Sequence, residues 1–112
     1  MQKLLLAAAL LLSPQLAMAH AILVQSQPAD QATVPPGERT LVLRYNSRID
    51  HKLSRLTLQG TNAQMTLPIN GDSPPDALST KADLTPGDYV VHWQVLATDG
   101  HMTRGDVHFT VR

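Results

Sequence analysis

The stretch Tyr89-Val90-Val91-His92-Trp93-Gln94-Val95-Leu96 decides the fold. It is rich in β-branched and aromatic residues, and it alternates. Tyr89, Val91, Trp93 and Val95 make one face; Val90, His92, Gln94 and Leu96 make a more polar one. A period of two predicts a strand buried on one side. Pro86-Gly87-Asp88 launches it as a tight turn, because Pro presets φ and the following Gly accepts φ > 0. Trp93, on the inward face, is expected in the core.

Downstream, Thr98-Asp99-Gly100-His101 reads as a turn. Thr103 to Arg112 then returns with Val107, Phe109 and Val111 inward, and with Asp106, His108 and Thr110 outward. Upstream, Thr40 to Tyr45 alternates with Leu41, Leu43 and Tyr45 on one face. Leu53, Leu56 and Leu58 suggest another strand, and Gly60-Thr61-Asn62 turns the chain. Met65 to Ile69 is a shorter strand cut by Pro68, Asn70 to Asp76 is a polar loop, and Ala77 to Leu84 is a weak strand. Ala21-Ile22-Leu23-Val24 is expected as the first strand, with a turn over Gln25 to Asp30 and a break at Val34-Pro35-Pro36-Gly37. No segment sustains a period of 3.6. About seven short strands separated by turn signals predict an all-β fold, a β-sandwich or small Greek-key barrel.

The first residues read differently. Met1-Gln2-Lys3 is a short positive region, Leu4 to Leu12 is unbroken Leu and Ala, and Ala17-Met18-Ala19 has the small-x-small form of a cleavage site. The apolar run is well short of the about 20 residues that span a bilayer. Residues 1–19 are therefore expected to be a signal peptide and residues 20–112 one exported domain. Ala19-His20-Ala21 also fits the cleavage pattern; a cut there would discard His20. The domain keeps all of the chain's basic residues except Lys3, so its charge is nearly balanced. That excludes the basic stripe that nucleic acid requires. The chain has no Cys, which removes thiolate metal chemistry and leaves stability to the core alone. The mature domain is expected to be a soluble monomer.

Cleavage after Ala19 would make His20 the first residue. Its free α-amine and its imidazole could then close a chelate ring on one metal ion, which no internal histidine can do. Asp99 and His101 flank Gly100, a spacing that can direct a carboxylate and an imidazole to the same side. If the first strand and the 98–101 turn meet at one end of a sandwich, the donors become an amine, two imidazoles and a carboxylate. Nitrogen-rich tetragonal coordination suits copper(II); zinc, which prefers a tetrahedron, is the main competitor. The amine, with an ordinary pKa near 8, must lose its proton to bind, so affinity should fall on acidification. His92 and His108 lie on polar strand faces and read as solvated side chains. His51 follows Asp50 in what reads as a bend and takes no role.

An ordered set of residues now resembles a known family. His20-Ala21, Ser26-x-Pro28-Ala29, Pro35-Pro36, Leu84-x-Pro86-Gly87-x-Tyr89-x-Val91-x-Trp93, Asp99-Gly100-His101 and Gly105-x-x-x-Phe109-x-Val111 together resemble the bacterial periplasmic copper-binding CopC proteins. The resemblance implies an immunoglobulin-like Greek-key β-sandwich that carries copper(II) in the periplasm. It places the ligands on His20, Asp99 and His101, with Asp99 either a weak ligand or a support that orients the site, and it suggests a CopD-like inner-membrane copper permease as partner. Some members hold copper(I) in a methionine-rich segment. Here only Met65 and Met102 lie beyond the leader, so no dedicated copper(I) site is expected. Two rival classes are a copper histidine-brace oxidative enzyme and a metal-free exported sandwich that binds another protein. Low aromatic content counts against the enzyme, since a carbohydrate platform needs flat rings.

Overall fold

Eight strands run through residues 20–112, the part of the chain that the computed structural model describes. The signal peptide expected over residues 1–19 lies outside the described residues. The strands are β1 (Leu23–Gln27), β2 (Ala32–Val34), β3 (Gly37–Tyr45), β4 (Ile49–Gln59), β5 (Gln64–Leu67), β6 (Ala77–Leu84), β7 (Gly87–Ala97) and β8 (Met102–Val111). They form two sheets, one ordered β1-β3-β6 and the other β2-β8-β7-β4-β5. The architecture is an all-β, immunoglobulin-like sandwich, as expected, with one strand more than the alternation revealed.

The core follows the alternation. β3 turns Leu41, Leu43 and Tyr45 inward; β7 turns Val91, Trp93 and Val95; β8 turns Val107, Phe109 and Val111. β6, expected to be weak, buries Leu78, Thr80, Ala82 and Leu84 and pairs with β3 over its whole length. The Tyr45 ring meets the Trp93 ring edge-on at 5.2 Å. Trp93 lies directly across from Gly105 in the β7–β8 ladder. A Cβ at position 105 would stand 2.4 Å from the indole, so the bare glycine is what admits the ring.

At the start of β7 the Tyr89 hydroxyl donates to the Thr85 carbonyl at 2.7 Å, and its ring stacks on Phe109. This tyrosine corner is characteristic of immunoglobulin-like sandwiches. Tyr89→Phe keeps the stacking and loses the hydroxyl's bonds to the Thr85 carbonyl and side-chain hydroxyl. It should lower stability by about 1 kcal/mol, or about 4–8 °C in melting temperature, in a thermal melt beside the parent protein.

Three details depart from expectation. β1 begins at Leu23 and continues through polar Gln25 to Gln27, because edge pairing with β3 uses backbone groups and leaves side chains free. A bulge at Val24 leaves that side chain exposed. β2 pairs in parallel with Phe109–Val111, and three residues are too few for alternation to show. β4, as long as β7 at 11 residues, carries a register shift between Asp50 and Arg55. Asp50 caps it by accepting the Lys52 and Leu53 N–H groups, both at 2.8 Å. Past the shift the strand alternates regularly, with Ser54, Leu56 and Leu58 inward and Leu53 outward, and Ser54 accepts the Leu96 N–H at 3.1 Å.

The strand directions put four segments at one end of the sandwich. They are His20–Ile22, the β3–β4 connection, the loop before β6, and the β7–β8 turn. Their backbones are stitched together: Tyr45 N–H to Asp76 C=O, Ile49 N–H to Pro75 C=O, and Thr98 N–H to Arg48 C=O.

Candidate metal centre

The β7–β8 turn is built around Gly100. Its φ of +90° lies in the left-handed region that glycine reaches without strain. The turn is closed by Ala97 N–H to His101 C=O and Gly100 N–H to Ala97 C=O, both at 2.9 Å. This brings Asp99 back over His101. One Asp99 oxygen accepts the His101 backbone N–H at 3.0 Å; the other lies 2.8 Å from His101 Nδ1. The backbone N–H, then the ring bond, holds the Asp99 carboxyl below the usual carboxylate range, with smaller help from the charges of His101 and His20. An ionised carboxylate only accepts, so Nδ1 must carry the proton of the pair. The lone pair of a neutral His101 ring is then on Nε2. The His101 side chain is 60% exposed, so Nε2 is accessible.

The N-terminal segment arrives from the other side. Ala21 is buried, and its carbonyl accepts the Thr103 hydroxyl at 2.9 Å. Ile22 N–H donates to the Asn46 side-chain oxygen at 2.8 Å, and Asn46 N–H returns a bond to the Ile22 carbonyl at 3.0 Å. These contacts leave the His20 ring 4.7 Å from the His101 ring, edge to face at 74°. The three residues singled out from the sequence, His20, Asp99 and His101, are thus neighbours. Asn46 and Thr103 were not singled out, and no local pattern marks them. Their partners are fixed only by the fold.

Among the described residues, no three His, Cys, Asp or Glu side chains are grouped so as to hold a metal ion. Asp99 spends both oxygens on His101, so the open donors at this end are the two imidazoles. An α-amine on His20 would add a third.

The other histidines are engaged elsewhere. His92 bridges Asp106 at 2.6 Å and Gln59 at 2.7 Å on the outer face of the larger sheet. His108 lies 3.6 Å from Asp30 on that face. His51 belongs to β4 rather than to a bend, and its Nε2 reaches the Pro74 and Ala77 carbonyls, both at 2.9 Å. A groove of about 350 Å³ on the outer face, lined by Arg55, Thr57, His92, Gln94, Arg104 and Asp106, includes none of the candidate ligands.

Comparison with known proteins bears on the family and the fold. The family described as CopC domain matches residues 23–112. The match begins three positions after His20, so the placement of His20 rests on the contacts above. Protein YobA of Escherichia coli (strain K12) is 31% identical over 99 residues, covering 84% of this chain and 80% of that protein. Copper resistance protein C of Xanthomonas campestris pv. juglandis is 30% identical over 111 residues, covering 86% and 83%. Among solved structures, CopC from Methylosinus trichosporium OB3b superposes with a TM-score of 0.73 at 26% identity, covering 82% of this chain and 93% of that one. PcoC, a methionine-rich copper resistance protein from Escherichia coli, gives a TM-score of 0.63 at 26% identity, covering 83% and 99%.

Proposed function

The chain belongs to the CopC family, and from that premise we propose that it carries copper(II) in the periplasm for copper resistance or homeostasis. The observation that supports the reading most directly is the His20–His101 contact, with Asp99 holding the His101 ring. Signal cleavage after Ala19 frees the His20 amine. Copper(II) is then bound by that amine, the His20 imidazole and His101. Nitrogen donors in a tetragonal set favour copper(II) over other divalent ions of the first row.

In this reading Asp99 has two tasks. It fixes the His101 tautomer so that Nε2 faces the ion, and it sets a negative charge beside a cation. Such a carboxylate–imidazole pair is the common support for metal-bound histidine. The protein is a carrier or buffer and performs no catalysis of its own. Its site is open on one side, which suits transfer to an inner-membrane permease of the CopD type.

The test is a copper(II) titration of protein exported and processed by the cell, beside a form carrying one extra residue ahead of His20. The processed form should take up one equivalent tightly. The extended form should bind more than about 100-fold more weakly, since loss of a supporting contact alone typically costs 10–100-fold. Equal affinities would refute the amine as a ligand. Intact mass should place the mature start at His20; a start at Ile22 would remove the ligand altogether.

A further inference from the structure

We propose that Asn46 and Thr103 are positioning residues that latch the N-terminal segment so that His20 stands beside His101 before any metal arrives; the proposal rests on the reading of His20 as a ligand. His20, Ala21 and Ile22 precede β1; only Ile22 extends its pairing, through the Asn46 N–H one position beyond Leu23 and Tyr45, and His20 and Ala21 lie past the ladder. Such a terminus frays unless something holds it. Here two residues hold it, each through backbone groups. The Asn46 side-chain oxygen accepts the Ile22 N–H at 2.8 Å, the bond that Asn46→Ala removes, while the Asn46 backbone N–H donates to the Ile22 carbonyl at 3.0 Å. Thr103 donates its hydroxyl to the Ala21 carbonyl at 2.9 Å.

The two anchors come from different parts of the sandwich. Asn46 follows β3 of the smaller sheet, whereas Thr103 belongs to β8 of the larger one. The segment is therefore strapped across the open end between the sheets. Thr103 is also two residues from His101, so one short stretch carries a ligand and the anchor for the other ligand. Ala21 is 2% exposed, and its burial sets the depth at which the strap lies. Neither anchor is among the proposed ligands. They act by removing the ordering that an unlatched terminus would have to undergo on binding.

The experiment uses the complete chain, exported and processed, with its start verified by mass. Copper(II) affinity by chelator competition, the copper(II) electron paramagnetic resonance spectrum and the metal-free melting temperature are compared for the parent, Asn46→Ala, Thr103→Val and Thr103→Ser. Asn46→Ala and Thr103→Val should each weaken copper(II) binding about tenfold or more and broaden or shift the spectrum. Thr103→Ser, which keeps the hydroxyl, should match the parent. Unchanged affinity and spectrum in folded Asn46→Ala and Thr103→Val would overturn the latch. Should either variant fail to fold, hydrogen exchange at the Ile22 amide of the metal-free parent decides: protection supports the latch, and exchange at the rate of a free peptide overturns it. His20→Ala separates the two layers. If that variant binds copper(II) as the parent does, the ligand reading itself fails; if it does not, the latch is judged on its own variants.

Discussion

His20→Ala and His101→Ala should each weaken copper(II) binding by more than about 100-fold, while His92→Ala and His108→Ala leave it within a few-fold of the parent. The lower bound follows from chemistry: losing an outer partner of a metal ligand typically costs 10–100-fold, and losing a ligand costs more. Geometry supplies the contrast. His20 and His101 face each other across 4.7 Å at the end of the sandwich. His92 is bridged between Asp106 and Gln59, and His108 sits beside Asp30, both on the outer face of the larger sheet. Chelator competition on the four variants checks this. Equal losses from all four would indicate diffuse surface binding. Asp99→Ala is expected between the two groups, about 10–100-fold weaker, because it frees the His101 ring and removes a charge without deleting a nitrogen donor.

Trp93→Ala should destabilise the metal-free domain by about 3–5 kcal/mol. In a domain of this size that is about 12–40 °C in melting temperature. Trp93 is 8% exposed, packs edge-on against Tyr45 and covers Gly105. Domains of this kind are held by only about 5–15 kcal/mol, so the loss approaches the threshold for folding. The reciprocal change, Gly105→Ala, forces the indole aside and should cost about 1–3 kcal/mol. The two should not add. With the indole gone, the new methyl at position 105 meets open space, so Trp93→Ala/Gly105→Ala should be no less stable than Trp93→Ala alone. Thermal melts of the two single variants and the double variant test the pairing. A melting temperature unchanged in Trp93→Ala would refute the inward placement of the ring.

Much of this was legible in the chain itself. Alternation in Thr40 to Tyr45, Tyr89 to Leu96 and Val107 to Val111 put the correct residues in the core, because a period of two leaves no choice once one face is buried. Turn chemistry placed Gly87 and Gly100 where φ is positive. The family motifs ran through the same segments. Where one strand's hydrophobic pattern was interrupted, the reading failed. Leu53 was grouped with Leu56 and Leu58, but it lies three positions from Leu56, so the strand's own alternation puts it on the solvent face and Ser54 in the core. β2 was missed because its partner, β8, lies more than 70 residues away and its pairing is parallel.

The chemistry of the candidate site divides in the same way. Residue identities alone nominated the candidate donors: an imidazole behind a proposed cleavage signal, a carboxylate and imidazole flanking one glycine, and no thiol anywhere. Local backbone preference determined that Asp99 folds back onto His101, since only three residues are involved. That His20 reaches this turn is a property of the folded chain. It depends on Thr103 and Asn46 bonding to Ala21 and Ile22, contacts that span 82 and 24 positions. Short-range propensity carries no information about such pairs, because each residue's own backbone would be equally content with another partner or with water. They exist only once both sheets have packed, and the packing is what gives the first residue of the proposed mature chain its neighbour.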